Sequence, residues 1–335
     1  FDDHTTINGY HILAQDGSDV NIPFMDDKTK TEMHDAKSFC QYHVNALYDC
    51  LNKVFYDWSI DAASKKREVN ALISILKDRN YPQNSIFTAD RGYESYNLMA
   101  HFIENDIKFV IRVKDIHTKV GLMTNVRTEE GAFDMRINRT LTSLQTKEIK
   151  ADKEKYIFVP TTSNFDFLNE TRDFYDLSFR AVRFKISEDV YETVVTNLSE
   201  EEFGTDDFKE LYRYRWNEET AFNKLKYTIG LVYFHARKRK LIQQEINAAF
   251  LMYNVSEVII RNIDLKKNKK LELEYDYKLN FSSAVTNIRL YLRKKINMKE
   301  LILRIKKFLV AQRPERSFER NIKGQSCKPL NYRTS

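Results

Sequence analysis

Three carboxylates in this sequence, Asp16, Asp90 and Glu219, fall where the predicted elements present side chains: Asp16 at the end of a first strand, Asp90 at the end of a later strand, and Glu219 on a long helix. Carboxylate oxygens are the donors that hard divalent cations require. Two such ions roughly 3.5–4 Å apart stabilise the attacking and leaving oxygens of a phosphodiester displacement together. A single acid at an element end is more often a turn former or a helix cap, so none of the three carries weight alone. What joins them is the segment LYRYRWNEETAFNKLK, in which Tyr212, Arg215, Glu219 and Lys226 follow the pattern Y-x2-R-x3-E-x6-K. On a helix, offsets of three, four and seven bring all four onto one stripe. That stripe would flank a metal-binding acid with two cations and a phenol, a grip for a phosphate backbone. A salt-bridged surface helix accounts for Arg215 and Glu219 but not for the whole pattern. Glu218 would point about 100° away from the stripe on a regular helix and is left out of it.

The elements that must position these residues are legible in the hydrophobic pattern. YHILAQDGSDVNIP reads as a strand ending in an Asp-Gly turn, and ALYDCLNKVFYDWSI as a β-hairpin around Asn52 and Lys53. KKREVNALISILKDR sets Val69, Leu72, Ile73 and Leu76 at helical spacing, and Pro82 stops that helix. SIFTADRGY is a buried strand with an Asp and a Gly turn; a helix through Leu98, Phe102 and Ile103 and a strand over Phe109–Val113 follow. The order strand, hairpin, helix, strand, helix, strand predicts an α/β fold: a mixed sheet flanked by helices, as in ribonuclease H. From Ile116 to Leu198 the texture turns β-branched and aromatic, which predicts a β-rich inserted subdomain. A helix is expected from Thr205 to about Thr228, another over Arg239–Ile260, and a third near Lys299–Ala311. The end, RPERSFERNIKGQSCKPLNYR, is too poor in apolar residues to bury and reads as an extended arm. The expected divisions are 1–115 for the first part of the core, 116–200 for the insertion, 201–262 for the completion of the core and 263–335 for a basic C-terminal region.

Composition excludes several classes. The 335 residues are 42% hydrophobic and 30% charged, which excludes a disordered chain. None of the 8 glycines sits in a GxGxxG or GxxxxGK[ST] setting, so a dinucleotide fingerprint and a P-loop are both out. The most apolar stretch, Ile246–Ile260, carries Asn247, Asn254, Ser256 and Glu257 and reads as a buried helix, with no membrane partner expected. Cys40, Cys50 and Cys327 are too few for a disulfide scaffold, so a reducing cytoplasm is the expected compartment. With His34 and His43, the first two fit no standard zinc spacing and are read as structural. The net charge of +6 hides an asymmetry: from residue 221 onward there are 26 Lys and Arg against 9 Asp and Glu, which leaves 28 against 39 before it. An acidic region joined to a basic one is the balance expected of a polyanion-binding protein with an acid-rich centre. Arg237 and Lys238, in FHARKRK, are candidates for phosphate contacts, with His235 part of the same basic surface.

DGSDVNIP around Asp16, TADRGY around Asp90, YRYRWNEETAFNKLK around Glu219, QQEINAAFLMYN at Gln243–Asn254 and the RPERSFERN tail together resemble the DDE transposases of bacterial insertion sequences, in the subgroup with the YREK signature. The resemblance spans essentially the whole chain. It implies a ribonuclease H-like core, two Mg²⁺ ions (Mn²⁺ as substitute), cleavage at transposon ends, and strand transfer into target DNA. It implies Asp16, Asp90 and Glu219 as catalytic metal ligands, and Tyr212, Arg215 and Lys226 as contacts to the transposon-end strand and its terminal phosphate. Trp216 matches an aromatic of the family, with a core indole as its other reading. DNA is the implied partner, with a homodimer in the paired-end complex, at the nucleoid of a bacterial cytoplasm.

Two departures bear on the route of cleavage. Relatives that form a DNA hairpin use a tryptophan in the insertion to hold a flipped base, whereas the two tryptophans here are Trp58 and Trp216. Tyr156, Phe158 or Phe174 would have to stack in its place. The relatives also carry an end-recognition domain ahead of the first acid; the sequence opens at Phe1 with 15 residues before Asp16, so an upstream segment is expected. The rival readings are a catalytically idle regulator derived from a transposase and a stand-alone ribonuclease H-like nuclease.

Overall fold

The computed structural model describes residues 4–32, 38–63, 68–116, 118, 120–128, 130–163, 165–188, 190–264, 276–312 and 331–332. It divides into two units, one made of Phe1–Ser18, Val44–Asp61 and Lys65–Glu219, the other of Asp19–His43, Ala62–Ser64 and Thr220–Ser335.

The first unit is built on a mixed sheet. β1 (His11–Ile22), β3 (Phe39–Asp49) and β4 (Val54–Ala62) are followed by α1 (Glu68–Asp78), β5 (Ser85–Ala89), α2 (Tyr96–Glu104) and β6 (Lys108–Val113), with β2 (Lys30–Thr31) between β1 and β3. The strands stand in the order β4-β3-β1-β5-β6, with β5 parallel to both β1 and β6. β3 and β4 form the hairpin expected around Asn52 and Lys53, and Lys53 takes the left-handed conformation its turn needs. β5 is buried at every residue. Leu72, Ile73, Ile75 and Leu76 of α1 and Leu98, Met99 and Phe102 of α2 enter one apolar cluster with Phe87 and Phe109 of the sheet. The rings of Phe87, Phe102 and Phe109 run in a line at centroid spacings of 5.5 and 5.1 Å. Ser95 caps α2 by accepting from the Leu98 amide. Arg79, at φ 54°, ends α1.

Two predicted elements of the sheet differ. Asp16-Gly17 does not end the first strand: β1 runs on to Ile22, because Val20 and Ile22 alternate inward and keep the extended period. The β-rich stretch does not fold apart as an inserted subdomain either. β7 (Phe133–Thr142), a short α3 (Lys147–Ala151), β8 (Tyr156–Phe158), β9 (Phe174–Ser187) and β10 (Val190–Thr196) extend the same sheet in the order β6-β10-β9-β7-β8. β10 lies antiparallel on β6, with Thr193 opposite Val113, so the expected boundary is a continued ladder.

Two buried arginines hold this extension. Arg180 on β9, 2% exposed, donates from Nε to Asp134 of β7 at 2.7 Å and from Nη1 to the carbonyls of Ser199 and Phe203. Arg183 reaches Asp115 at 2.8 Å, and it is chiefly this hydrogen bond that draws the Asp115 carboxyl down to about 2.

The expected helix over Thr205–Thr228 is broken into α4 (Thr205–Tyr214), α5 (Trp216–Asn223) and a π-helical turn over Lys224–Ile229 closed by Gly230 at φ 98°. In the second unit β11 (Tyr233–Phe234) precedes α6 (Arg239–Arg261), which matches the predicted apolar helix and buries Ile242, Ile246, Phe250 and Tyr253. β12 (Asp276–Leu279), α7 (Phe281–Leu292), α8 (Met298–Lys307) and β13 (Leu309–Gln312) surround a small core of Leu279, Ala284, Ile288, Ile296, Leu301 and Ile305. The predicted helix near Lys299–Ala311 is α8, one residue earlier at its start, with β13 after it. Asn331–Tyr332 forms β14 beside β11, while most of the predicted arm lies outside the described residues. No described helix is long and apolar enough to cross a membrane.

Replacing Arg180 with Met keeps the side-chain volume but leaves two carbonyls without their arginine donor and Asp134 with only the Thr205 hydroxyl. Stability to urea should fall by about 3 kcal/mol, the usual scale for removing one partner of a buried ion pair. Asp134→Asn in the same background should restore part of that loss, and a single-variant loss under about 1 kcal/mol would show the pair to be dispensable.

Candidate active site

The acids are brought together by strand register. β1 and β5 are parallel neighbours with Ala14 opposite Thr88, so Asp16 and Asp90 each stand two residues beyond that pair. Asp90 follows the last residue of β5 and caps a short turn, its Oδ1 accepting from the Gly92 amide at 2.7 Å. A Cβ at position 92 would lie 2.9 Å from that oxygen, so the bare glycine leaves room for the carboxylate. Asp16 accepts from its neighbour's amide, Gly17, at 2.8 Å. Burial, more than any other influence, pushes the Asp16 carboxyl up to about 6; the charges of Asp90 and Glu68 add to this, and the Gly17 amide and Arg215 oppose it. Glu68, at the start of α1, is thus an acid of this centre that the sequence reading missed.

Arg215 occupies the break between α4 and α5. It is 4% exposed, donates from Nε to the Tyr212 hydroxyl at 3.1 Å and from Nη2 to Glu219 Oε1 at 2.9 Å, and lies between the rings of Tyr212 and Trp216 at 5.4 and 5.5 Å. Burial alone would lower its pKa, but Tyr212, Glu219 and Asp16 outweigh it and hold the guanidinium firmly protonated. Asn217 anchors the start of α5 by donating to the Cys50 carbonyl at 3.1 Å.

Arg215 joins the residues of the stripe predicted from spacing, bonding both Tyr212 and Glu219. Tyr212, 2% exposed, and Arg215 are both buried. Lys226 lies in the π-helical turn of the second unit, where its side chain is buried. Trp216 is 45% exposed, against its reading as a core indole, and Arg237 and Lys238 are exposed ahead of α6.

Glu218 departs furthest from expectation. The backbone at the helix break closes with three-residue hydrogen bonds, Arg215 N–H to Tyr212 and Glu218 N–H to Arg215, tighter than the regular turn assumed from spacing. The Glu218 side chain is completely buried. Burial first, then the Asp16 charge, pushes its carboxyl well above the ordinary range. The Tyr93 hydroxyl, also buried, is held up by the charges of Asp16, Glu68, Glu218 and Asp90 after burial itself.

The donor set fits a hard divalent cation, being carboxylate oxygen throughout. The distances, however, do not close: among the described residues no three acids, histidines or cysteines converge on one point as a metal cage would require. Like charges repel, and Glu219 is drawn onto Arg215. Cys40 and His43 behave as structural residues, the thiol donating to the Met25 carbonyl at 2.9 Å and the imidazole meeting Asp19 at 2.7 Å. His34 lies outside the described residues.

The sequence profile of the transposase DDE domain matches residues 7–255. The chain belongs to the transposase DDE-domain family. No curated protein matches it. Among solved structures, this DDE-domain chain is similar to a piggyBac transposase in a synaptic complex with hairpin DNA, at 10% identity and a TM-score of 0.46 over 92% of its own length. It spans 59% of that chain. The profile covers Asp16, Asp90, Glu218 and Glu219 alike, and it stops within α6, before the small core of α7 and α8.

The Asp16 carboxyl makes the metal-free protein sensitive to pH. Its folded pKa, about 6, lies above the ordinary aspartate value of 3.8, so its contribution is complete below that value and is lost as pH rises through about 6. For a shift of this size the loss is about 3 kcal/mol. In EDTA, Asp16→Asn should therefore be more stable to urea than the parent at pH about 8 and equal to it near pH 4. A difference that did not change with pH would exclude this cause.

Proposed function

We propose that this chain is the catalytic core of a DNA transposase of the YREK subgroup, acting through a ribonuclease H-like centre. The observation that carries the reading is the parallel register that sets Asp16 beside Asp90, with α5 delivering Glu219 on a buried arginine. The strand order β4-β3-β1-β5-β6, with its parallel core, supports the ribonuclease H-like assignment. Asp16, Asp90 and Glu219 are the residues that would hold two Mg²⁺ ions, with Mn²⁺ as a substitute. Bound there, the ions would activate the attacking oxygen and stabilise the leaving one. Arg215 fixes the Glu219 rotamer and lends positive charge to a phosphate approaching the acids. Gly92 keeps the Asp90 carboxylate in place from below.

In this reading a water attacks the phosphodiester at a transposon end and frees a 3′-hydroxyl, which then attacks target DNA. DNA is the partner, bound as a paired-end complex of two copies in the bacterial cytoplasm. Trp216, Arg237 and Lys238 are the contacts open to it, and the basic charge beyond residue 221 adds affinity through counterion release.

The test is Mg²⁺- or Mn²⁺-dependent nicking of supercoiled plasmid, followed by joining of a labelled 3′-hydroxyl end to a target. Wild type should do both, and Glu219→Ala, matched for folding, should lose at least about a hundredfold in rate. Release without joining would mark a nuclease, and tight DNA binding with no cleavage in either protein would mark a regulator. Separately, the double variant Arg237→Gln/Lys238→Gln should reduce the slope of log affinity against log salt by about 2 without altering the melting temperature. An unchanged slope would remove both residues from the DNA surface.

A further inference from the structure

The small core beyond the family profile carries a charge that its fold does not use. Residues 276–312 hold nine Lys and Arg against two Asp and Glu, a far stronger bias than the chain as a whole shows. The core itself is apolar, with Leu279, Ala284, Ile288, Leu301 and Ile305 buried together, so the cations are left to the surface. The turn between α7 and α8 carries Arg293, Lys294 and Lys295, all exposed. It is fixed by the left-handed backbone of Lys294, at φ 55°, and by Ile296, which is buried in the core. α8 starts directly after it, with the Asn297 side chain accepting from the Glu300 amide at 2.9 Å.

On α8, Leu301 and Ile305 enter the core, while Lys299, Leu303, Lys306 and Lys307 are exposed within an arc of about 100° on the opposite side. Leu303, 63% exposed, stands in the middle of that face. Arg304 pairs with Glu300 at 2.7 Å, whereas the three lysines form no ion pair among the described residues.

The chemistry of the face selects its partner. A second copy related by a two-fold axis would set lysine against lysine. A lipid surface takes the apolar side of a helix, and that side of α8 is already buried in protein. Duplex DNA meets every feature: a helix about 10–12 Å across enters a major groove about 12 Å wide, phosphates on the rims take the lysines, and an exposed aliphatic side chain meets a thymine methyl.

We propose that α7 and α8 form a duplex-DNA-binding surface, with the outer face of α8 in the major groove and Arg293, Lys294 and Lys295 on the phosphate backbone beside it. This rests on DNA being the partner, as read above, and is independent of the chemistry of the acids.

The test uses the full chain in EDTA and a fluorescent duplex, with affinity read by anisotropy over a salt series and each protein checked by melting temperature and sedimentation. The variant Arg293→Gln/Lys294→Gln/Lys295→Gln should reduce the slope of log affinity against log salt by about 3. Leu303→Glu, at a position the core does not need, should weaken binding at least about tenfold by setting a carboxylate against the DNA. Both should melt with the wild type. An affinity and a salt slope equal to wild type in both variants would overturn the proposal. So would a smaller species in sedimentation for Leu303→Glu with duplex affinity unchanged, which would make the face a contact between copies. Loss of binding to phosphatidylserine vesicles with duplex affinity unchanged would overturn it in favour of a lipid. Absence of duplex binding by the wild type would instead bring down the reading of DNA as the partner, and this surface with it.

Discussion

A single buried cation makes the acid centre possible. Carboxylates collected on neighbouring strands, Asp16 within β1 and Asp90 just past β5, repel one another, and burial strengthens that repulsion by removing the water that would screen it. Arg215 is the counterweight: its charge acts on Asp16 and Glu218 while its hydrogen bonds fix Tyr212 and Glu219. The aromatic faces of Tyr212 and Trp216 let a guanidinium sit almost out of solvent, which an ammonium, strongly hydrated and without a planar face, would resist. The break between α4 and α5 falls at this residue, so the kink and the charge share one cause.

The sheet supplies the other half of the geometry. Asp16 and Asp90 are far apart in the chain, and their proximity depends on β1 and β5 pairing in parallel. That pairing requires the β3–β4 hairpin and α1 to be accommodated between them, which places the apolar face of α1 against the sheet and sets Glu68 at the rim. The continued ladder β6-β10-β9-β7-β8 then gives the centre a broad support in place of an isolated edge. Arg180 and Arg183, themselves buried, stiffen that support with ion pairs of their own.

Much of this was legible in the residues. The hairpin, α1, β5, α2, β6 and α6 follow from period and punctuation, and the Tyr212–Arg215–Glu219 spacing correctly predicted a shared face. What the sequence concealed has physical reasons. The Asp-Gly turn signal at 16–17 was overridden by Val20 and Ile22, whose burial keeps β1 extended. Strand pairing is non-local, so nothing in the stretch from Ile116 to Leu198 shows that it joins the sheet through Val113 and Thr193. Glu218 was hidden by the assumption of uniform helical phase, which the tight turns at Arg215 break.

The π-helical turn over Lys224–Ile229 carries a consequence for how such chains are compared. A π turn is an α-helical segment with one residue too many for its length, tolerated here because Leu225 and Ile229 are buried and Gly230 closes the end. Deleting one residue there would leave a better helix by propensity, yet it would turn every side chain after the deletion by about 100°. The number of residues in this stretch is therefore as constrained as their identity. An alignment that places a gap between Glu219 and Lys226 would describe a different molecule.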